Sequence, residues 1–318
     1  MTAPSITPSA VSPANNIRRR KFRQGIVQNL RRFRTGMRVY AQNRLAMIGL
    51  VLIIIYALMA VAHPILMKTV WIGGIYNPET GYDALYSPIH PAPPSIHHLL
   101  GTDFMGRDIL SRLLFSTQAT FVMAILAALT TAATSVLSGA LSAYYRGRVD
   151  WVLNHLAGAF LLLPAPIMMV ILAVWTGDAF GAVGFGVGYG LIVGLGGAAI
   201  VMRSQALGLM TRAYIDAARV SGGGAWHIIT RHLIPQMLPL ASIQMMTAVA
   251  GVVIADGFIS WVGVGTNWNR LNWGSMIMWA KDFSGVVSWH VAIPPALAIS
   301  LFAAAFYLVS LGLEEIYD

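Results

Sequence analysis

The 318-residue sequence contains no cysteine and few charged residues. The absence of cysteine excludes disulfides, thiol nucleophiles and thiolate metal ligands. Charged residues make up 10% of the chain, whereas soluble domains carry about 25%. Hydrophobic residues account for 57%, so the polar side chains are too few to cover a soluble protein of this size. The composition therefore predicts a protein whose main solvent is the lipid bilayer.

Lysine is also scarce, and its positions exclude a nucleotide-binding loop. The chain has three lysines, Lys21, Lys68 and Lys281, and none of them follows a glycine. A phosphate-binding P-loop needs glycine directly before Lys-Ser or Lys-Thr. Neither a His-Glu-x-x-His motif nor a Ser/His/Asp arrangement is recognisable. We therefore assign no catalytic residue, no metal and no cofactor to this chain, and we do not expect it to be an enzyme.

The net charge of +9 is concentrated near the N-terminus, where ten arginine and lysine residues lie between Arg18 and Arg44. Nucleic-acid binding is one interpretation of such a cluster. A long apolar run follows at once, which favours the positive-inside signal of a membrane protein. An amphipathic helix on anionic lipid is compatible with that orientation. We interpret residues 1–42 as a cytoplasmic basic tail, partly disordered, that contacts membrane lipid and no nucleic acid.

Six apolar runs predict an all-α polytopic membrane protein with about six transmembrane helices. The first helix is expected at 43–67, followed by a proline-rich extracytoplasmic loop at 68–116. A five-helix core is expected at 117–313, with its cytoplasmic loop at 203–237. Residues 314–318 would form a cytoplasmic C-terminus. Both termini thus lie inside, at the cytoplasmic membrane.

Three local patterns refine this outline. Pro164 and Pro166 should kink or split the third run, 151–175. The glycines of the fourth run, 180–202, are spaced by four at Gly186, Gly190 and Gly194, which places them on one helix face for close packing. The tryptophan-rich stretch between the fifth run, 238–262, and the sixth, 291–313, is expected to be a polar loop at the membrane interface.

The stretch from Tyr214 to Pro235 interrupts the apolar pattern. Small, helix-favouring alanines precede three consecutive glycines, which can end one helix and reverse the chain. A second short helix would begin at Ala225 and stop near Pro235. Two short helices at an angle would form a compact cytoplasmic projection. The alternative is an amphipathic loop that lies on the membrane.

The same stretch resembles the cytoplasmic "EAA" loop of permease subunits in binding-protein-dependent ABC importers. That pattern reads Glu-Ala-Ala, three residues, Gly, nine residues, Ile, one residue, Leu-Pro. Gly222 and Pro235 stand at the required spacing after Asp216. Three positions depart from the pattern: Asp216 replaces Glu, His232 replaces Ile, and Ile234 replaces Leu. The residues expected to couple to an ATPase are Tyr214, Asp216, Ala217, Ala218, Gly222, Gly223, Ala225, Trp226, Ile234 and Pro235.

Three further segments resemble the dipeptide/oligopeptide/nickel branch of these permeases. They are the Leu-Gly-Thr-Asp-x-x-Gly-Arg-Asp stretch at 100–108, the first apolar run at 43–61, and the 255–277 segment with its Trp-Gly-x-Met-Ile ending. The resemblance covers nearly everything from about residue 43 onward and is closest to the C-type subunit. It implies the type I ABC importer permease fold.

The resemblance also implies partners. These are a sister permease that forms a heterodimer with this chain, two ABC ATPase subunits that hold ATP and Mg, and an extracytoplasmic substrate-binding protein. Peptides are the expected substrate, and the same fold also serves nickel chelates, glutathione or oligosaccharides. A stand-alone secondary transporter or channel is the rival class, although the runs contain few charges for ion coupling.

Two other groups of residues are candidate sites. Asp256 stands in the fifth run, where an ionisable group is either a polar lining or gate of the pathway or a helix-end group bonded to backbone. Gly101, Asp103, Gly106, Arg107 and Asp108 are expected to be structural. They would form a salt-bridged cap and a short helix at the outer end of the second span.

Overall fold

The computed structural model describes residues 42–71, 74–87, 89–176, 181–263, 271–283 and 288–317. The predicted basic tail, apart from Gln42, lies outside these ranges. Across the described ranges every regular element is helical, and extended pairing is limited to one isolated bridge between Thr102 and Asp108. The all-α prediction is therefore confirmed.

Eleven α-helices occupy the described residues. They are α1 (Arg44–Thr69), α2 (Ile109–Tyr145), α3 (Gly147–Leu162), α4 (Ala165–Thr176), α5 (Ala182–Leu195), α6 (Gly197–Leu209), α7 (Ala213–Val220), α8 (Ala225–Ile228), α9 (Ile234–Val262), α10 (Trp273–Phe283) and α11 (Trp289–Tyr317). Four continuous helices are long and apolar enough to cross a membrane, and the number rises to six if two bent pairs are each one span. This agrees with the six predicted spans.

The two bends have different local causes. α3 and α4 meet at 88° around Pro164 and Pro166, as the prolines predict. α5 and α6 meet at 46° around Gly196 and Gly197, a break inside the predicted run 180–202. A helix breaks readily at adjacent glycines, because glycine has no side chain and a low helix propensity.

Two differences from the sequence expectation have a local cause. α2 begins at Ile109, eight residues before the predicted start of its apolar run, because Asp108 caps it: the Oδ1 atom of Asp108 accepts from the N–H of Ser111 at 2.6 Å. The expected tryptophan-rich loop contains helix α10 instead. Its start is stabilised by Asn272, whose Oδ1 accepts from the N–H of Ser275 at 2.7 Å. Trp268 lies outside the described residues.

An aromatic cluster joins α1, α10 and α11 to α2. Tyr56 donates to the carbonyl of Ala298 at 2.9 Å, and Trp273 donates to the carbonyl of Leu113 at 3.1 Å. Phe302 packs edge-on against Tyr56, with ring centroids 5.1 Å apart. These buried polar groups are satisfied by backbone carbonyls, as a core without water requires.

α2 lies at the centre of the helix packing, and α5 is pressed against it through glycines. A Cβ atom on Gly190 would lie 2.7 Å from the carbonyl oxygen of Ala127 and would meet the Thr130 hydroxyl at a shorter distance. A Cβ atom on Gly194 would lie 3.0 Å from the Thr131 backbone. The glycine face of α5 thus contacts the α2 backbone directly, as small-residue spacing predicts in membranes.

Candidate functional site

The candidate site is a knob formed by residues 213–233, which connects α6 to α9. Its first half, α7, ends in a Schellman motif. The N–H of Gly222 donates to the Arg219 carbonyl at 3.0 Å, and the N–H of Gly223 donates to the Ala218 carbonyl at 2.9 Å. Gly222 has a φ of +81°, a conformation that L side chains rarely adopt. The glycines form the corner between the two halves, which is the part they were expected to play.

The second half does not stop at Pro235, contrary to the sequence expectation. α8 continues through a π-helical turn, Ile229–Leu233, directly into α9. The N–H of Ile234 bonds to the carbonyl of Ile229, five residues earlier. Pro235 lies directly after this π-helical turn, where the regular helical bonding is already interrupted, so its missing N–H costs little additional bonding. The knob is therefore continuous with a membrane-length helix.

A buried apolar cluster, which we call the seat, holds the knob against α2 and α6. Ile215, Ile228, Ile229 and Leu233 of the knob are each 0% exposed. The cluster also contains residues from α2, from α6 with its C-cap Met210, and from α9, namely Val136, Ala140, Ala143, Met202, Ala206, Met210, Met237 and Ala241. Full burial of four branched side chains stabilises this arrangement by about 1.5–3 kcal/mol each. The knob is thus a rigid extension of the helix core.

The opposite face of the knob is exposed and partly apolar. Val220 is 91% exposed, Trp226 65% and Tyr214 41%. Ala217 is exposed on the same short helix, and its small side chain leaves the surface open to close approach. An exposed apolar surface of this kind is typical of a docking site for another protein. The other predicted coupling residues divide between these faces: Asp216 and Pro235 are exposed, and Ala218, Gly223, Ala225 and Ile234 are partly buried.

Two of the three departures from the family pattern, Asp216 and His232, have different environments, and the third, Ile234, is partly buried. Asp216 pairs with Arg219 at 3.1 Å on the exposed face, where such a pair contributes little. His232 lies between the two halves, with ring centroids 6.2 Å from Tyr214 and 5.6 Å from His227. An aromatic contact therefore stands where the pattern has isoleucine. Sequence spacing did not identify His227 as part of this contact.

Asp256 lies on α9 and is 8% exposed. Its Oδ2 atom accepts from the Nδ2 of Asn272 at 3.1 Å, and Asn272 also donates to Ser260 at 2.7 Å. Asp256 and Asn272 line a cavity of about 200 Å³, together with Thr120 and Glu79. The carboxylate thus has a side-chain partner and also faces a cavity, an arrangement between the two interpretations drawn from the sequence. Asn272 was not singled out there.

The segment 101–108 forms a tight turn, where the sequence analysis expected a short helix. Asp103 accepts from the Nε of Arg107 at 2.8 Å and from the N–H of Met105 at 2.8 Å. Gly101 and Gly106 have φ values of +80° and +73°, which a helix would not allow. Asp108 instead caps the long helix α2. The Arg107 guanidinium lies 4.6 Å above the Trp279 ring and connects the turn to α10.

A buried network, centred on His98, lies beside this turn. The Nδ1 of His98 is 2.8 Å from Asp108 Oδ2, and its Nε2 is 3.1 Å from Asp83 Oδ2. Both nitrogens face carboxylates, so each carries a proton in this arrangement. The hydrogen bond to Asp108 raises the pKa of His98 and outweighs burial. Burial raises the pKa of Asp83, but the N–H groups of Tyr86 and Leu85 together with His98 outweigh it, and the pKa is lowered.

This network predicts a pH-dependent loop between α1 and α2. Stability from His98 is fully present below its unfolded pKa of about 6.5 and is lost as the pH rises through its raised folded pKa. Stability from Asp83 is present above about pH 4 and is lost as the pH falls through its lowered folded pKa. We expect amide protection of Leu85, Tyr86 and Ser111, measured by hydrogen exchange, to be greatest between these limits.

The His98→Gln variant isolates the imidazolium. It removes the positive charge between two buried carboxylates, which costs about 3 kcal/mol, and we expect the alkaline loss of protection to disappear. His97→Gln is the matched control, because His97 is the adjacent imidazole and is not in the network; it is compared at Leu85 and Ser111, since His97 stacks on Tyr86. If amide protection falls equally with rising pH in His98→Gln and in the unmodified chain, the assignment of the alkaline loss to His98 is contradicted.

Comparison with known proteins adds an independent line of support. Residues 135–318 match the family described as binding-protein-dependent transport system inner membrane component. Residues 31–89 match the N-terminal TM domain of oligopeptide transport permease C. The first match contains the knob and the seat, and the second contains α1.

Individual relatives of the chain are also permease proteins of transport systems. The chain is 30% identical over 282 residues to a putative peptide transport system permease protein of Brucella abortus, covering 87% of this chain and 88% of the relative. It is 26% identical over 280 residues to a dipeptide transport system permease protein of Bacillus subtilis, covering 87% and 82%. It is 28% identical over 243 residues to a glutathione transport system permease protein of Pectobacterium atrosepticum, covering 76% and 78%. The chain therefore belongs to the family of binding-protein-dependent transport system inner membrane components, within its dipeptide/oligopeptide permease branch of C-type subunits.

Proposed function

We propose that this chain forms, with a sister permease, the path of an ATP-driven importer for peptides. The observation that carries the proposal is the knob. One face of the knob is exposed and partly apolar, the other is buried in the seat, and its second half continues into α9. Within this permease family, such a rigid projection is suited to contact an ATPase subunit. The knob and both chain termini then lie in the cytoplasm, and the loop between α1 and α2 lies outside.

The proposed mechanism depends on rigid transmission. Closure of two ATPase subunits around ATP and Mg would displace the knob. Because the seat is fully buried and the π-helical turn joins the knob to α9, the displacement would move whole helices and not a flexible loop. The pathway would then alternate between outward and inward states, with substrate delivered by an extracytoplasmic binding protein.

Peptides are the favoured substrate because relatives are named for peptide and dipeptide transport. A relative named for glutathione transport matches the same chain, so the binding protein is proposed to select among related molecules. Reconstitution tests this. In liposomes containing the sister permease, both ATPases and the binding protein, uptake of tritiated trialanine should require ATP. Uptake by this chain alone, driven by an ion gradient, would support the secondary-transporter alternative and contradict the proposal.

Asp256 is proposed to line the pathway. We expect Asp256→Leu to lower uptake about tenfold, equivalent to ~1.4 kcal/mol, with little loss of assembled complex. Assembly should survive because Asn272 retains its bond to Ser260. The measurements are uptake and the yield of co-purified subunits. Asp256→Asn keeps the size and removes the charge, so it separates the two contributions. Unchanged uptake at normal expression in Asp256→Leu would exclude the pathway role.

A further inference from the structure

One ion pair joins three helices beside the seat. The Nε of Arg203, on α6, donates to Asp150 Oδ1 at 2.5 Å, and its Nη2 donates to Asp150 Oδ2 at 2.7 Å. Asp150 lies in the first turn of α3. Ser142, near the end of α2, donates its hydroxyl to the same carboxylate. A two-point guanidinium–carboxylate contact sets the orientation of the partners as well as their distance.

This pair lies next to the residues that hold the knob. Met202 precedes Arg203 and is 0% exposed within the seat. On α2, a Cβ atom added to Gly139 would lie 2.7 Å from the Met202 carbonyl carbon and 2.8 Å from the Arg203 nitrogen. The backbones of α2 and α6 therefore touch at this level. A displacement of the knob reaches α6 at the residue adjacent to the ion pair.

α3, the helix that carries Asp150, buries few side chains. α3 is described along its whole length, and Ala157 is its one buried residue. α3 then leads through the 88° bend into α4. Besides Ala157, Phe160 packs partly buried against the core near the far end of α3, so Asp150 is the polar contact at the other end of the helix. The Asp150 carboxylate is thus well placed to determine whether α3 follows α6.

We infer that the Asp150–Arg203 pair is a positioning link that carries movement of the knob from α6 to α3 and α4. This role rests on the proposed function, since it requires an ATPase that moves the knob. The pair is partly buried, with the side chain of Arg203 29% exposed and that of Asp150 22% exposed. Neutralising one partner therefore does not strand a charge in a dry core, and folded variants are expected.

A double-mutant cycle tests the link. The complex of both permeases, both ATPases and the binding protein is purified with Asp150→Asn, Arg203→Gln or both changes. The readout is the ratio of binding-protein-stimulated to basal ATP hydrolysis. We expect each single variant to lower the ratio about 5- to 10-fold, the range of a moderate coupling between sites. The double variant should be no worse than either single variant, because all three lack the same contact.

Two further variants separate transmission from folding. Arg203→Lys keeps the charge without the two-point contact and should give an intermediate ratio. Arg148→Gln removes an equal charge from an exposed position on the same turn of α3 and should leave the ratio unchanged. A merely structural pair would reduce the yield of complex while the ratio stayed constant.

The outcomes distinguish the two proposals. A normal ratio in Asp150→Asn and Arg203→Gln, with a responsive unmodified complex, would overturn the link alone. Additive losses in the double variant would show that the residues act separately and would also overturn it. An unmodified chain that neither retains an ATPase nor supports stimulated hydrolysis would overturn the proposed function, and the link with it.

Discussion

Ala217→Arg is expected to abolish ATP-driven uptake while the permease itself remains folded. Ala217 is exposed on α7, and its neighbour Ile215 holds the helix in the seat from the other face. An arginine at 217 therefore meets no atom of this chain's core. In a docked complex it would be an unpaired charge in an interface, which costs about 3–5 kcal/mol. Since each 1.4 kcal/mol is a factor of ten in affinity, binding should fall more than about 100-fold.

The measurements are ATPase co-purification and trialanine uptake. Ala217→Ser is the size-matched control and should behave like the unmodified chain.

Gly222→Pro should distort the corner of the knob, because proline cannot adopt a φ of +81° and lacks the N–H that bonds to Arg219. Gly224→Ala is its control, at a position where an added Cβ meets nothing within 4 Å. Retained ATPase binding and coupled uptake in Ala217→Arg would exclude docking at this surface.

Gly190→Val is expected to separate α5 from α2 and prevent recovery of folded protein. A Cβ atom at 190 would press on the Ala127 carbonyl oxygen at 2.7 Å, so a backbone must move. The Thr130 side chain can rotate away, but the Ala127 backbone cannot. Overpacking typically costs about 1–3 kcal/mol, and a collision with backbone should reach the upper end. The lost contact includes the Thr131 hydroxyl that donates to the Gly190 carbonyl at 3.3 Å.

Fluorescence-detected size exclusion and thermal unfolding in detergent would measure this effect. Gly208→Val, on α6, is the matched control, because a Cβ atom there meets nothing within 4 Å. We expect a monodisperse peak for Gly208→Val and aggregation or a markedly lower melting temperature for Gly190→Val. Equal melting temperatures for the two variants would show that the α2–α5 interface is looser than its glycines indicate.

The knob illustrates how far local sequence reasoning reaches. The three consecutive glycines predict a helix end and a reversal, which are local properties of backbone conformation. Pro235 was interpreted as a stop, and this was wrong. Proline directly after a π-helical turn is compatible with a continuous helix, and the widened turn before it depends on packing of Ile229 and Leu233 in the seat. Local propensity does not contain that information.

The candidate site residues show the same division. Asp103, Arg107 and Asp108 are close in sequence, so a salt-bridged turn could be predicted, although its conformation was not. His98 and Asp83 are 15 residues apart, and Asn272 and Asp256 are 16 apart. Asp150 and Arg203 are 53 residues apart on different helices. No helical or loop period relates such pairs, so they appear only when the chain is folded.

The sequence by itself determined the solvent of this protein, its helical class, the α3–α4 break and the glycine face of α5. It also contained the family pattern and excluded a P-loop. These follow from composition and from periods of a few residues, which act without knowledge of distant neighbours. The tertiary structure alone decided which face of the knob is buried, how α8 passes into α9, and which carboxylates meet His98 and Arg203. Burial and ion pairing are properties of residues brought together from distant positions, and those positions are set by helix packing.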